Sequence, residues 1–299
     1  MQVIFKQLLI LYIFLMAGWL IGKIKKDKVS HSDILSVLLV NIFLPCKVFS
    51  TFQKNVTVTY IKERYYLLLS AIALLAILAL IGYFLPKLLT KRAYERNVYA
   101  YSVPITNYGY LGYVLVGSVF GDAVLSDFML FAIPFSFYTY TVGYSMLTGG
   151  KISFKKLLNP ITASIVLGIA AGLSGLKIPE VISSAVSSAS ACVGPLSMVL
   201  TGMALSAFTM RDLLTDKVAY IFSAVRLVII PGIVYLICRG ARLDAVLPMM
   251  LIITSMPCGL NTIVFPKLIG EDCKPGARLA LITHVISMLT VPLWLSLIS

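Results

Sequence analysis

The sequence predicts an all-α polytopic membrane protein of ten transmembrane helices, arranged as two inverted five-helix repeats. Three observations carry this. Hydrophobic residues make up 59% of the 299 residues and charged residues only 12%, which lies outside the range of soluble globular domains. Apolar stretches of about 20 residues, the length that crosses a bilayer as a helix, recur along the chain. Two proline motifs of the first half also return in the second at nearly the same offset. A transmembrane β-barrel would show alternating segments of about 10 residues instead, and the sequence has none.

The spans are expected at 3–22, 32–52, 65–86, 97–120, 127–148, 158–176, 181–208, 217–238, 244–268 and 276–298. The first is a full-length span with no basic region before it, so it reads as a retained helix rather than a cleaved leader. The second carries "NIFLPCKVFSTF" and the fourth "SVPITNYGYLG". The seventh carries "VGPLSMVLTG" and the ninth "SMPCGLN". The eighth holds an arginine, Arg226, and the tenth a histidine, His284.

Charge sets the orientation. Of the 25 Lys and Arg residues, the clusters Lys23, Lys25, Lys26, Lys28, then Lys87, Lys91, Arg92, Arg96, then Lys151, Lys155, Lys156, with Arg211, Lys217, Lys267, Lys274 and Arg278, share one side. The opposite loops hold Lys6, Lys54, Lys62, Arg64, Lys177, Arg239 and Arg242. The richer side faces the cytoplasm by the positive-inside rule, which puts both termini on the extracytoplasmic side of the cell membrane. The net charge of +13 is thereby explained by topology, with no nucleic-acid partner. The five cysteines include no CxxC pair, so they read as small buried thiols, and neither a metal site nor a cofactor is expected.

Pro104 in "SVPITN" corresponds to Pro257 in "SMPCGLN", and Pro45 to Pro195. The halves then divide at 1–150 and 151–299, five spans each. An odd number of spans makes the second half enter the membrane from the opposite side, the plan of many secondary transporters. Asn107 falls about 15 Å into its span, near the midplane, and Asn261 lies at similar depth. Proline withdraws a backbone donor and frees a carbonyl, and freed groups in hydrocarbon need protein or cavity water. Two breaks at one depth therefore predict a central polar cavity. Its half-helix N-termini, with unpaired N–H groups and a positive dipole end, suit an anion. Pro104, Thr106, Asn107, Gly109, Pro257, Gly259 and Asn261 are the residues expected there, with Tyr138 from the fifth span as a further wall.

No Asp or Glu occupies the centre of a span, so Arg226 has either backbone carbonyls of an unwound segment or an anionic substrate as its partner. Lys47, nearer a helix end, snorkels. His284 is either a hydrogen-bonded structural group or a proton relay, and so the coupling candidate. For an intramembrane protease the paired aspartates and HExxH are absent, and only His284 could serve a Ser–His dyad. A cation or proton antiporter of the same fold and an anion channel remain as alternatives to an organic-anion carrier.

"NIFLPCKVFSTF" (41–52), "NYGYLG" (107–112) and the long stretch from "SMPCGLNTIVFPKLIG" to "LTVPLW" (255–294) resemble the auxin efflux carrier family of membrane transport proteins. The resemblance implies a fold like that of bile-acid symporters and sodium/proton antiporters, with broken helices 4 and 9 crossing at their centres. It implies scaffold helices 1, 2, 6 and 7, which form a homodimer, and a transport domain of helices 3–5 and 8–10 moving as an elevator. It also implies a substrate that is a small organic anion: a carboxylate such as malate or malonate, or an auxin-like weak acid, with proton or sodium coupling. Pro104 and Pro257 match the crossover prolines, Asn107 the substrate-contacting position, and Asn41 and Pro45 the second-span motif. Relatives often have proline where this chain has Tyr113. The short loop around 149–157 implies a prokaryotic-type member.

Overall fold

The computed structural model describes residues 2–24, 30–175, 178–206, 216–270 and 273–298. Lys25, Lys26, Lys28, Lys177 and Arg211 of the charge argument, and the ends of the expected spans at 176 and 207–208, lie outside the described residues. Among the described residues the regular structure is helical, apart from one isolated antiparallel bridge between Thr106 and Cys258.

Helix α1 (Gln2–Ile24) is followed by α2 (Ser30–Leu38), which passes through a π-helical turn (Leu39–Phe43) into α3 (Leu44–Asn55). Thr57 starts α4 (Val58–Leu89), its hydroxyl accepting from the Tyr60 N–H at 3.1 Å. At 32 residues, α4 is longer than the expected 65–86. The apolar window marks only the part in oil, while the polar start "VTYIKER" continues the same hydrogen-bonded ladder beyond it.

α5 (Ala93–Ser102) stops two residues before Pro104, since proline has no N–H to continue a helix and disfavours helical geometry in the residue before it. The chain resumes in a π turn (Tyr108–Gly112), α6 (Tyr113–Tyr138), a further π turn (Thr139–Gly143) and α7 (Tyr144–Thr148). Tyr108–Thr148 is 41 residues long, about 60 Å of helix and roughly twice a hydrocarbon core. It bends at Gly121, whose φ of 83° costs a glycine little.

α8 (Pro160–Ser174) begins on Asn159, whose side chain accepts from the Ile161 and Thr162 N–H groups. α9 (Glu180–Ala191) and α10 (Val193–Ser206) meet at Cys192. α11 (Lys217–Ala224) leads through a π turn (Val225–Ile229) to α12 (Ile230–Gly240). A second break separates α13 (Leu247–Ser255) from α14 (Asn261–Leu268), and α15 (Lys274–Leu295) follows.

Seven of these stretches are long and apolar enough to cross a membrane: Gln2–Ile24, Ile34–Asn55, Val58–Leu89, Tyr108–Thr148, Glu180–Ser206, Lys217–Gly240 and Lys274–Leu295. The protein is a multi-pass membrane protein. The expected ten spans differ from these seven in three places. Span 97–120 is divided by the first break into the end of α5 and the helix from Tyr108, which meets the helix of span 127–148 at the non-helical Gly121, 158–176 is the 15-residue α8, and 244–268 is divided by the second break.

The closest helix pairing is α1 with α10, and next α3 with α8. Both rest on small-xxx-small contacts, which let helix backbones approach in an apolar solvent. A Cβ on Gly18 would strike the Val199 backbone, and one on Gly22 the Ser206 side chain. On the other pair, a Cβ on Gly168 would meet the Phe49 carbonyl oxygen at 3.0 Å and one on Gly172 the Val56 carbonyl oxygen at 2.5 Å. Gly18, Gly22, Phe49 and Val56 recur 150 positions later as Gly168, Gly172, Val199 and Ser206. The offset that relates Pro45 to Pro195 thus carries one helix pair onto the other, contact by contact.

Candidate functional site

The two chain breaks meet. Val103–Asn107 and Met256–Leu260 run antiparallel, and the Asn107 N–H donates to the Pro257 carbonyl oxygen at 2.8 Å. This bond gives a partner to a backbone acceptor at a position where prolines rule out helical pairing. Both chains restart at this point, one at Tyr108 and the other at Asn261. The first N–H groups of a helix have no intrahelical partner. At the second start the Thr262 and Ile263 N–H groups are already paired, with the Gly259 and Leu260 carbonyl oxygens at 3.5 and 2.8 Å. The two starts border a cavity of about 50 Å³ lined by Thr106–Tyr110 and Tyr113 from the first break, and by Gly259, Leu260 and Asn261 from the second. Ser136, Thr139 and Tyr140 of the α6 stretch form another wall, and Leu44 of α3 and Ile161 of α8 close it. No carboxylate lines the cavity.

Five expected residues come together here: Thr106, Asn107, Gly109, Gly259 and Asn261. A Cβ on Gly109 would meet nothing within 4 Å, whereas one on Gly259 would lie 3.1 Å from the Thr106 carbonyl oxygen. Gly259 therefore permits the close approach of the two breaks, and Gly109 leaves room in the cavity. Pro104 and Pro257 are buried behind the lining and act through the backbone they interrupt.

Four expected contacts lie elsewhere. Arg226 is fully buried but does not line the cavity. Its Nε donates to the Ser102 carbonyl oxygen at 3.1 Å and its Nη1 to that of Thr254, while Nη2 has no partner among the described residues. Ser102 ends α5 and Thr254 is the penultimate residue of α13, so one guanidinium joins the negative ends of both half-helices. Of the two partners open to it from sequence, the structure shows the carbonyls. Asn41 is exposed and donates to the Val37 carbonyl oxygen at 2.8 Å within its own helix. Pro45 is half-buried at the start of α3, one residue beyond the Leu44 that closes the cavity. Tyr138 lines a different cavity of about 420 Å³ with Tyr83, Lys87 and Arg96. A one-residue step along a helix turns the side chain by about 100°, and two residues on it is Tyr140 that reaches the central cavity.

Ser136 and Thr139 are the polar side chains that sequence reasoning missed. With Tyr140 they have i, i+3, i+4 spacing, which puts all three on one face of the helix and is the signal that could have found them. Tyr113, standing where relatives often carry proline, packs edge-on against Tyr108 at 5.9 Å and Phe128 at 5.8 Å between ring centroids. The Tyr108 hydroxyl is 3.0 Å from the Ser136 hydroxyl. Lys47 is half-buried in a separate polar pocket with Lys54 and Asp122.

His284 stands directly behind Asn107. The Asn107 Nδ2 lies 2.9 Å from His284 Nε2, and His284 Nδ1 lies 2.7 Å from the Ala280 carbonyl oxygen. Tyr12 of α1 donates to the His284 carbonyl oxygen at 2.8 Å. The pair is buried, with Asn107 2% and His284 1% exposed.

Two comparisons bear on this arrangement. The sequence model of the family described as "Membrane transport protein" matches the chain twice, over residues 3–155 and 148–295, so each half carries one copy. The chain is 26% identical over 303 residues to the "Uncharacterized transporter MJ1031" of Methanocaldococcus jannaschii, covering 96% of both chains. A doubled match, a full-length transporter relative and two helix breaks joined at a central cavity lead to one conclusion: this chain is a membrane transporter and belongs to the membrane transport protein family, the auxin efflux carrier family that its motifs resemble.

Proposed function

We propose that this protein is a secondary carrier of a small organic anion, a carboxylate of the malate or malonate kind, working by elevator-type alternating access. The observation that carries the reading is the carboxylate-free cavity bordered by two helix starts, at Tyr108 and Asn261. Unpaired N–H groups and the positive ends of two half-helices favour negative charge there. Asn107, Asn261, Thr139 and Ser136 supply the polar side chains that orient the cargo.

In this reading the chain consists of two inverted repeats, 1–150 and 151–299, giving ten spans. The paired small-residue seams of α1 with α10 and α3 with α8 support a scaffold built from the first two spans of each repeat, which dimerises. The remaining six spans form the moving domain, with the broken helices crossing at its centre. Leu44 and Ile161 belong to the scaffold side and the rest of the lining to the moving side, so the cargo sits at the boundary that an elevator must slide along. Such carriers bind coupling cations at unwound carbonyls and half-helix C-termini. Here Arg226 already occupies those carbonyls, which favours a proton over sodium as the coupling ion. The location is the cell membrane, with both termini extracytoplasmic.

Uptake of radiolabelled malonate and malate into proteoliposomes, with counterflow to separate a carrier from a channel, tests the reading. Asn107→Ala and Asn261→Ala should each lose uptake while remaining folded, with a lowered melting temperature for Asn107→Ala because it orphans His284 Nε2. Normal uptake by both variants would remove the cavity from the transport path.

A further inference from the structure

We infer that Asn107 and His284 form a proton-operated amide switch, which makes anion binding obligatorily coupled to one proton. The inference rests on the anion-carrier reading above for its cargo, but its geometry is independent of it.

The Ala280 carbonyl oxygen can only accept, so the 2.7 Å contact with His284 Nδ1 requires a proton on Nδ1. In the neutral ring the other nitrogen, Nε2, then carries a lone pair and must accept. The group it faces is Asn107 Nδ2 at 2.9 Å, a donor, so the two assignments agree. Amide orientations are assigned from the hydrogen-bond network, and here the network has one solution for each charge state. With His284 neutral, Asn107 spends its N–H on the ring. Its Oδ1, which has no partner among the described residues, is left to the cavity that Asn107 lines. An acceptor in that position repels a carboxylate.

A proton that reaches Nε2 reverses the roles at that contact, while Nδ1 still donates to the Ala280 carbonyl oxygen. The Nε2 lone pair becomes an N–H bond, and an N–H cannot face the N–H of an amide. Asn107 must turn its side chain by about 180° so that Oδ1 accepts from Nε2–H. The Nδ2 group then donates into the cavity, where it meets the carboxylate beside the N–H groups of the helix starts. The imidazolium charge offsets one of the two negative charges of a malonate or malate dianion, so proton and cargo move together with one net negative charge. Linkage runs both ways: the anion holds the proton as firmly as the proton holds the anion.

The groups around His284 leave it as the switch. Tyr12 from α1 bonds the His284 carbonyl rather than its ring. Arg226, from the π turn after α11, is held on Ser102 and Thr254. Cys258 lies at the bridge, with its N–H on the Thr283 hydroxyl at 3.2 Å, and Tyr101 is buried at the end of α5. α10 and α13 bring no titratable side chain. The ion pairs Arg278–Asp216 and Arg92–Glu95 sit at helix starts, as do Tyr94, Arg96, Lys217 and Tyr220 on α5 and α11, and Tyr99, further along α5, packs on Phe222 at 4.8 Å between ring centroids.

The sequence contains two histidines, His31 and His284, so His31→Gln leaves His284 as the single reporter. In ¹⁵N-histidine, ¹⁵N-asparagine protein in bilayers, the ring should be the Nδ1–H tautomer at high pH. Its titration should move the Asn107 side-chain amide resonances. Calorimetry in buffers of different ionisation enthalpy should show about one proton taken up per malonate bound, with affinity falling about tenfold per pH unit on the alkaline side. His284→Gln should abolish that uptake. An Nε2–H tautomer, an Asn107 amide indifferent to the titration, or malonate bound to a neutral His284 each overturns the switch and leaves the carrier reading standing. If neither malonate nor malate binds while the tautomer and amide behave as stated, the switch holds and the carboxylate reading falls.

Discussion

Arg226→Met replaces the fully buried guanidinium by an apolar side chain that fills much of the same volume. Two carbonyl acceptors, of Ser102 and Thr254, then lose their side-chain donor in a water-free interior. Each orphaned acceptor costs about 1–3 kcal/mol, so the gross loss is about 2–6 kcal/mol. Part is recovered, because methionine carries no buried charge to desolvate and no counterpart to the unpartnered Nη2. A net loss of about 2–4 kcal/mol remains, a fall in melting temperature on the order of 10 °C. Arg226→Lys keeps the charge but cannot span both helix ends with a fixed fork, and should fall about halfway between. The assay is tryptophan-fluorescence thermal unfolding in detergent, with malonate uptake by the same variants in proteoliposomes. A wild-type melting temperature for Arg226→Met would refute the argument that this cation ties the two half-helices together. Should that stable variant also lose uptake, Arg226 would be assigned to the cargo instead.

Other outcomes follow from the same geometry. Gly18→Leu and Gly168→Leu should destabilise to similar extents, measured by thermal unfolding, because each drives a side chain into the backbone of the facing helix at equivalent points of the repeat; tolerance of either would break the equivalence. Trp294→Phe removes the indole N–H that donates to the Leu227 carbonyl oxygen at 2.7 Å in the π turn, for an expected loss of about 0.5–1.5 kcal/mol in urea unfolding. Gly109→Ala should fold like wild type and weaken malonate uptake by narrowing the cavity. Gly259→Ala should lower the melting temperature as well, since its methyl group presses on the Thr106 carbonyl oxygen at 3.1 Å.

Much of this protein is written in local chemistry. Twenty-residue apolar stretches place the chain in a membrane whatever their neighbours are, and the helices before Pro104 and Pro257 stop within two residues of them. Matching prolines at nearly equal offsets point to two repeats, and the glycines Gly18, Gly22, Gly168 and Gly172 carry the same offset as Pro45 and Pro195. Polar groups near those breaks, Thr106, Asn107, Gly259 and Asn261, line the cavity because the break itself brings them there.

The rest was decided by tertiary packing. In water, a helix shows its buried face by its apolar stripe; in lipid both faces are apolar, so the pattern does not say which residues turn inward. That is why Tyr138 and Tyr140 look alike in sequence and line different cavities. The π turns at Leu39–Phe43 and Thr139–Gly143 shift register further, without a proline to mark them. Arg226 offers five donors to any acceptor in reach, and only the folded chain, by ending α5 and α13 beside it, brings the Ser102 and Thr254 carbonyls to two of them. Asn107 and His284 are 177 positions apart, and no spacing rule joins them. Their contact depends on α15 passing behind the first break, and it turns two ordinary polar residues into a pair whose protons can be counted.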